Sequence, residues 1–164
     1  EGLILRLRER IPAIALRTSV IVGMPYETEK RFQELVDFLP QAQFDRLGCF
    51  TYSKEEGTLA ATMGGQVPER VREERRAIVM DVQREISRER NERRIGKRYD
   101  VLVDRALRTD GFTGGVGRSV CEAPEVDGEI CIRGPRPLEA GTWVRARITD
   151  ADEHDLTAVT VSDG

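Results

Sequence analysis

Three groups of residues in this sequence have the types and spacing to do chemistry. The first is Gly23-Met24-Pro25, which stops an apolar, β-branched run at 19–22 and precedes a helical pattern from about Thr28. Strand, tight Gly/Pro turn and helix make up the repeating unit of an α/β sheet or barrel. Ligands of such folds sit at the carboxyl ends of strands, so this turn reads as a ligand-facing loop; an ordinary strand-to-helix turn has the same spacing. The second group is Arg118, Glu122, Glu125 and Asp127, around an Asp-Gly hairpin turn. Acidic side chains on an exposed loop suit a Lys/Arg-rich partner, and a solvated hairpin loop has the same composition. The third group is Cys49, Cys121, Cys131 and the single His154. No CxxC or CxxxCxxC spacing occurs, so no metal or cluster site is assembled locally. Cys49 and Cys131 read as small hydrophobes of apolar strands in a reducing cytoplasm. His154, in an acidic stretch with no second histidine, reads as a structural or surface residue.

These residues need elements to hold them. Leu3, Leu7 and Ile11 recur at helical spacing up to Pro12, and Pro ends or bends a helix. Phe32, Leu35, Val36 and Leu39 mark one face of a second helix, closed by Pro40. A second strand is expected over 44–52, followed by the polar loop Ser53-Lys-Glu-Glu-Gly57-Thr58. Helix–strand–helix–strand in this order fits parallel βα units. Two strands are too few for a closed sheet, and the chain opens on Glu1 without an initiator Met or leader pattern; it reads as a fragment whose remaining strands lie upstream.

A Gly-containing connection over 60–67 leads to Pro68, which suits the first turn of a helix running to about Arg94. Val71, Ile78, Val82 and Ile86 form its apolar stripe. The dense Arg and Glu around them read as a solvated face with i,i+4 ion pairs, with a nucleic-acid contact as the other reading. After Gly96 the period changes to two: Tyr99, Val101 and Val103 alternate with Asp100, Leu102 and Asp104. Further strands are predicted at 112–113, 117–120, 129–133, 142–149 and 156–161. Short strands at this spacing predict a small antiparallel barrel of oligonucleotide-binding type. The expected organisation is therefore α/β plus all-β, with segments 1–67, 68–97 and 98–164.

Of 164 residues, 34% are charged and 5% aromatic, and no apolar run approaches the roughly 18 residues that span a bilayer. Residues 99–164 carry 7 Lys/Arg against 13 Asp/Glu, while residues 1–98 carry 19 against 16. Phosphate backbones are bound by basic surfaces. The acidic second half therefore argues against RNA as its main ligand and for a basic protein.

Three stretches carry a resemblance that covers nearly the whole chain: Arg17-Thr-Ser-Val-Ile-Val-Gly-Met-Pro-Tyr-Glu27, Phe44-Asp-Arg-Leu-Gly-Cys-Phe-Thr-Tyr-Ser-Lys-Glu-Glu-Gly-Thr58, and Gly117-Arg-Ser-Val-Cys-Glu-Ala-Pro-Glu-Val-Asp-Gly128. They resemble the methylthiotransferase family of radical S-adenosylmethionine enzymes. Within it they resemble the branch that modifies an aspartate of small-subunit ribosomal protein twelve, rather than the tRNA branch of the MiaB type. The resemblance implies the last strands of a TIM-like radical S-adenosylmethionine barrel, a connecting helix and a C-terminal TRAM domain. It implies S-adenosylmethionine and two [4Fe–4S] clusters as cofactors, the cluster cysteines lying in an upstream part. It further implies Arg17, Thr18, Ser19, Gly23, Pro25, Tyr52 and Thr58 as walls of the cofactor cavity. Arg17 is the strongest of these, since a guanidinium grips a carboxylate with two hydrogen bonds. Arg118, Glu122, Glu125 and Asp127 would be contacts with the substrate protein, free or on the ribosomal subunit. The family usually has Gly where this chain has Tyr26, which implies an altered turn. A non-catalytic adaptor whose TRAM barrel binds RNA or ribosome is the reading from another functional class.

Overall fold

The periodicities of the first half fold into α1 (Gly2–Arg10), β1 (Arg17–Val22), α2 (Glu29–Ala42), β2 (Arg46–Thr51), α3 (Leu59–Thr62) and α4 (Glu69–Glu92). The computed structural model describes residues 2–109 and 111–161. The chain divides into two compact units, Glu1–Ile86 and Ser87–Gly164. The division falls inside α4, so the helix expected as a separate connector gives its first turns to one unit and its last turns to the other.

In the first unit β1 and β2 pair in parallel, from Arg17 opposite Arg46 to Val22 opposite Thr51. Side chains alternate across a strand. One face of this sheet sends Val22, Leu47 and Cys49 into a core with Phe32, Leu39, Val79 and Ile86. The other face carries Ser19, Ile21, Gly48 and Phe50, and both Ile21 and Phe50 are more than half exposed. The first turn of α2 is capped by Thr28, whose Oγ1 accepts from Arg31 N at 3.3 Å.

Four expectations for this half need correction. Pro40 does not close α2, which continues to Ala42. Ala42 is buried, and Gln43 turns left-handed so that its N–H reaches Leu39 O at 2.9 Å. The stripe of α4 does not run through Ile78, which is exposed; Val79 is the buried residue. The buried line includes the polar Arg75 and Gln83, which hydrophobic periodicity cannot register. The connection after Thr58 also contains one short helix, α3, capped by Thr58 itself: its Oγ1 accepts from Ala61 N at 3.3 Å. Finally, β1 begins at Arg17, two residues before the apolar run.

The second unit contains β3 (Arg98–Thr109), β4 (Phe112–Arg118), β5 (Ile130–Arg133), β6 (Trp143–Ala151) and β7 (Leu156–Thr160), closed into a barrel in the order β3-β4-β5-β7-β6. Its core is the inward set Val101, Val103, Ile130, Ile132, Ala146, Ile148, Leu156 and Ala158, as the period of two implies. The barrel is mixed rather than antiparallel, because β5 and β7 pair in parallel. Five strands in a ring cannot all alternate in direction, so closure forces a parallel neighbour. The candidates at 112–113 and 117–120 are one strand ending at Arg118. Its glycines hide it from strand propensity, yet they are needed there: a Cβ on Gly114 would lie 1.8 Å from Ile132 O on β5.

Candidate functional site

At the carboxyl end of β1 the chain turns at Gly23, with φ +78°. Glu27 reaches back across this turn. Its Oε1 accepts from Gly23 N at 2.9 Å and from Arg75 Nη1 at 2.7 Å. Arg75 also donates to Glu27 O at 3.1 Å and to Glu29 Oε2 at 3.0 Å, and its guanidinium lies 5.1 Å from the centre of the Phe32 ring. Only 7% of the Arg75 side chain and 14% of Glu27 are exposed. One residue-turn away on α4, Arg72 donates to Tyr52 O and, through Nε, to Val67 O at 3.0 Å. Arg76 Nε donates to Cys49 O at 3.2 Å. Positions i, i+3 and i+4 share a helix face, so three arginines of the run expected to be solvated instead bind the ends of β1 and β2. The signal was present in their spacing, but mixed charge concealed it.

Tyr26 occupies a left-handed conformation, φ 63°. This is the conformation glycine adopts without strain, and Tyr26 carries it at this turn. Its N–H donates to Gly65 O at 2.9 Å, and its ring lies on Gly64 and Gly65, where a Cβ on Gly65 would come within 2.5 Å of the ring.

The residues expected to wall a cofactor cavity are not all brought together. Gly23, Pro25, Tyr52 and Thr58 belong to the carboxyl ends of the strands and the loops that follow. Arg17, Thr18 and Ser19 stand at the amino end of β1. At about 3.3 Å per residue that separation approaches 20 Å. Thr18 also shares the helix-covered face with Val20 and Val22, while Arg17 and Ser19 share the open face with Ile21. Gly23 is buried, with Arg72 lying over it. Thr58 serves as a helix cap, accepting from Ala61 N and donating to Glu55 O at 2.8 Å. Tyr52 is buried, and its hydroxyl has no hydrogen-bond partner among the described residues.

In the second unit, Glu122 is not a surface contact. Its side chain is 2% exposed and pairs with Arg94 Nη1 at 2.5 Å, Arg94 being 12% exposed. Glu122 Oε2 accepts from Ser119 N at 2.9 Å and Ser119 Oγ at 2.6 Å. Arg94 also lies 4.6 Å over the Tyr99 ring. Burial by itself would raise the Glu122 carboxyl; the hydrogen bond and charge of Arg94, with the two bonds from Ser119, outweigh it and hold the group below the usual carboxylate range. Arg94 is correspondingly held above its ordinary value by Glu122 against the opposing effect of burial. Arg118 is paired with Asp104, and Asp127 Oδ2 accepts from Ala123 N at 2.7 Å. Of the four expected contacts, Glu125 is the one that is fully exposed; it too has a left-handed backbone, φ 61°.

Charge is unevenly spread over this unit. With the end of α4 included, residues 87–164 hold 13 Lys/Arg and 15 Asp/Glu, so the strong acidity expected for 99–164 is largely offset. On the outer face of β3 and β6, Arg98 stands opposite Arg147, Asp100 opposite Arg145, and Leu102 opposite Trp143, which is 62% exposed. Carboxylates gather instead on the loops around 125–129 and 150–155.

The cysteines are free thiols. Burial pushes Cys49 up to about 11, and burial followed by Asp155 and Glu129 raises Cys131. Both are thereby kept as neutral thiols, since the thiolate is the nucleophile and metal ligand. Among the described residues no group of His, Cys, Asp and Glu could hold a metal ion. Nor is any described helix long and apolar enough to cross a membrane.

Comparison with known proteins places this geometry. A family described as the TRAM domain matches residues 95–161, the barrel and its approach. Proteins named ribosomal protein uS12 methylthiotransferase RimO match nearly the whole chain. The one from Alkalilimnicola ehrlichii is 50% identical over 151 residues, 92% of this chain and 33% of the relative. That from Desulfitobacterium hafniense is 46% identical over 156 residues, covering 95% and 34%. That from Pelotomaculum thermopropionicum is 48% identical over 160 residues, covering 97% and 36%. The chain thus spans about a third of the length of the relatives it matches. Over nearly its whole length the chain is similar to RimO proteins, and the matching stretch includes a TRAM domain.

Proposed function

We propose that this chain is the C-terminal part of a radical S-adenosylmethionine methylthiotransferase that adds a methylthio group to the β-carbon of an aspartate in ribosomal protein uS12. The observation that carries this reading is the match of both units, not of the barrel alone, to relatives named for that activity. In this reading β1 and β2 are the closing strands of a TIM-like barrel. Their parallel pairing, the helices on one face and the open face at Ile21 and Phe50 are what a barrel wall requires.

S-adenosylmethionine and two [4Fe–4S] clusters would supply the radical and the sulfur chemistry. The residues present do not fit the clusters, since the three cysteines are dispersed and no metal group forms among the described residues. In this reading the cluster ligands would come from a part matching the stretch of the relatives that this chain does not span. The residues do fit a wall for the nucleoside cofactor. Ser19, Ile21 and Phe50 offer a small-and-apolar open face, and the buried Tyr52 hydroxyl lacks a partner among the described residues. Arg17 and Ser19 lie on that face; Gly23, Pro25 and Thr58 shape the loops around its carboxyl end. Arg75 and Glu27 hold the loop and exclude water from its inner side.

A second reading is favoured by one observation. The exposed Trp143 and the facing Arg98 and Arg147 are a stacking residue and two cations on one barrel face, the pairing used to hold single-stranded nucleic acid. It would suit a tRNA methylthiotransferase of the MiaB type or a non-catalytic adaptor. The test uses the whole protein, reconstituted with iron and sulfide and supplied with S-adenosylmethionine and reductant. Mass spectrometry is expected to find the methylthio group on an aspartate of uS12 and none on tRNA. Modification of tRNA would favour the MiaB-type reading. Absence of any S-adenosylmethionine cleavage would favour the adaptor.

A further inference from the structure

Arg72 holds both ends of one loop. Its guanidinium donates to Tyr52 O, just after β2, and to Val67 O, just before α4. It also lies 5.8 Å from the centre of the Tyr52 ring. Tyr52 and Val67 are buried, whereas residues 53–66 between them are exposed except for the part-buried Ala60 and Ala61. A surface loop of this length whose ends are drawn together is an Ω-loop, a form that often carries function. This one is organised from within: Thr58 caps α3, and Gln66 Nε2 donates to Ala60 O and Met63 O, each at 2.9 Å. Among the described residues, one hydrogen bond ties it to the chain outside, from the Tyr26 N–H to Gly65 O at 2.9 Å. The Tyr26 ring covers that point, lying on Gly64 and Gly65.

Tyr26 has φ 63°, a conformation that a bulky side chain takes only where its surroundings over-determine it. Any residue but proline would supply the N–H that meets Gly65; the ring is what this side chain adds. In the other arm of the loop, Gly57 at φ 80° has nothing within 4 Å of the place a Cβ would take, so that arm is free to turn. One arm is therefore pinned and the other open. Between them Leu59 and Met63, one helical turn apart, are 75% and 40% exposed, and Met24 on the β1 turn is 38% exposed. A ligand at the carboxyl ends of β1 and β2 would give the loop something to cover these apolar groups against.

We propose that residues 53–66 are a lid over that end of the sheet and that Tyr26 is its positioning residue, pinning the lid so that it closes on bound S-adenosylmethionine with little freedom left to lose. Tyr26 acts through Gly64 and Gly65 rather than on the reacting atoms. Arg72 keeps the two ends of the lid in place while the segment between them moves. The proposal rests on the cofactor reading given above.

The test is hydrogen exchange by mass spectrometry on the whole protein with its clusters reconstituted, with and without S-adenosylmethionine. No reductant is added, so that the cofactor is bound and not cleaved, and its affinity is measured alongside by equilibrium dialysis. In the parent, S-adenosylmethionine is expected to slow exchange over 53–66 about tenfold. Y26G removes the ring and relieves the backbone. Its lid is expected to exchange about tenfold faster without cofactor, and its Kd for S-adenosylmethionine to rise about tenfold. Exchange over α4 should stay at the parent's rate, and the melting temperature should be no lower. Y26F, which keeps the ring, is expected to match the parent throughout. If S-adenosylmethionine binds and exchange over 53–66 does not change, the lid is refuted while the cofactor reading stands. If Y26G matches the parent, or Y26F loses as much as Y26G, the role of the ring is refuted. If the whole protein does not bind S-adenosylmethionine, the lid and the cofactor reading fall together.

Discussion

Replacing Glu122 by Ala is expected to destabilise the barrel unit by about 3–5 kcal/mol, lowering its melting temperature by at least about 12 °C. The cost does not come from losing an attraction alone. Removing the carboxylate leaves the Arg94 guanidinium, 12% exposed, without its ion partner, and leaves Ser119 N and Oγ without their acceptor. Buried donors stripped of partners keep the full cost of desolvation. E122Q retains the shape and part of the hydrogen bonding, so about half the loss is expected. The pH dependence has a definite sign. A carboxylate held low in the folded state contributes stability that is fully present above its unfolded value, roughly 4.3, and is lost as pH falls through the lower folded value. The parent is therefore expected to lose stability on acidification in that window, and E122Q to lose that portion of the dependence. Thermal melts at pH 7 and below pH 4 check both statements. Equal melting temperatures for parent and E122A at pH 7 would show that the pair holds nothing.

Replacing Arg75 by Ala is expected to release the Gly23–Glu27 turn. The ion pair with Glu27 is nearly as buried as that of Glu122, and Arg75 additionally holds Glu27 O and Glu29. Breaking it leaves the Glu27 carboxylate with the Gly23 N–H and without its cation, and a broken buried pair costs about 3–5 kcal/mol. If about 3 kcal/mol of that is local to the turn, the Gly23 amide should exchange with solvent roughly 100-fold faster. R75K keeps the charge but not the fork that spans Glu27 and Glu29, so an intermediate rate is expected. Hydrogen exchange of Gly23 measured in the three proteins checks this. Unchanged protection in R75A would mean that the turn is held by Glu27 and Tyr26 without help from α4.

Much of this was readable before any coordinates. The strand–turn–helix at Gly23, the change of period after Gly96 and the alternation of Val101 and Val103 are local patterns, and local patterns survive folding. What could not be read were the positions where tertiary contacts reassign a residue. Glu122 sits in an acidic, loop-like stretch and looks solvated; only the approach of Arg94, 28 positions earlier, makes it a buried ion. Arg75 and Gln83 break the apolar stripe of α4, so hydrophobic spacing points to Ile78, although Val79 is the residue that the core takes. The glycines of β4 conceal a strand that exists because backbones from β4 and β5 come too close for side chains. Parallel pairing of β5 with β7 follows from closing five strands, a property of the ring that no single segment encodes. In the candidate site, a strand of six residues separates the Gly23 turn from Arg17, a distance that a run of motif positions does not convey.

Whether this chain takes a ribosomal protein or an RNA is decided by titrating it in parallel with uS12 and with a tRNA anticodon stem-loop at two salt concentrations. Preferential binding to uS12 is expected, weakened by salt as for acidic loops meeting a basic chain. Tighter binding to the stem-loop, with the steep salt dependence of phosphate neutralisation, would contradict it and assign the barrel to RNA through the face that carries Trp143, Arg98 and Arg147.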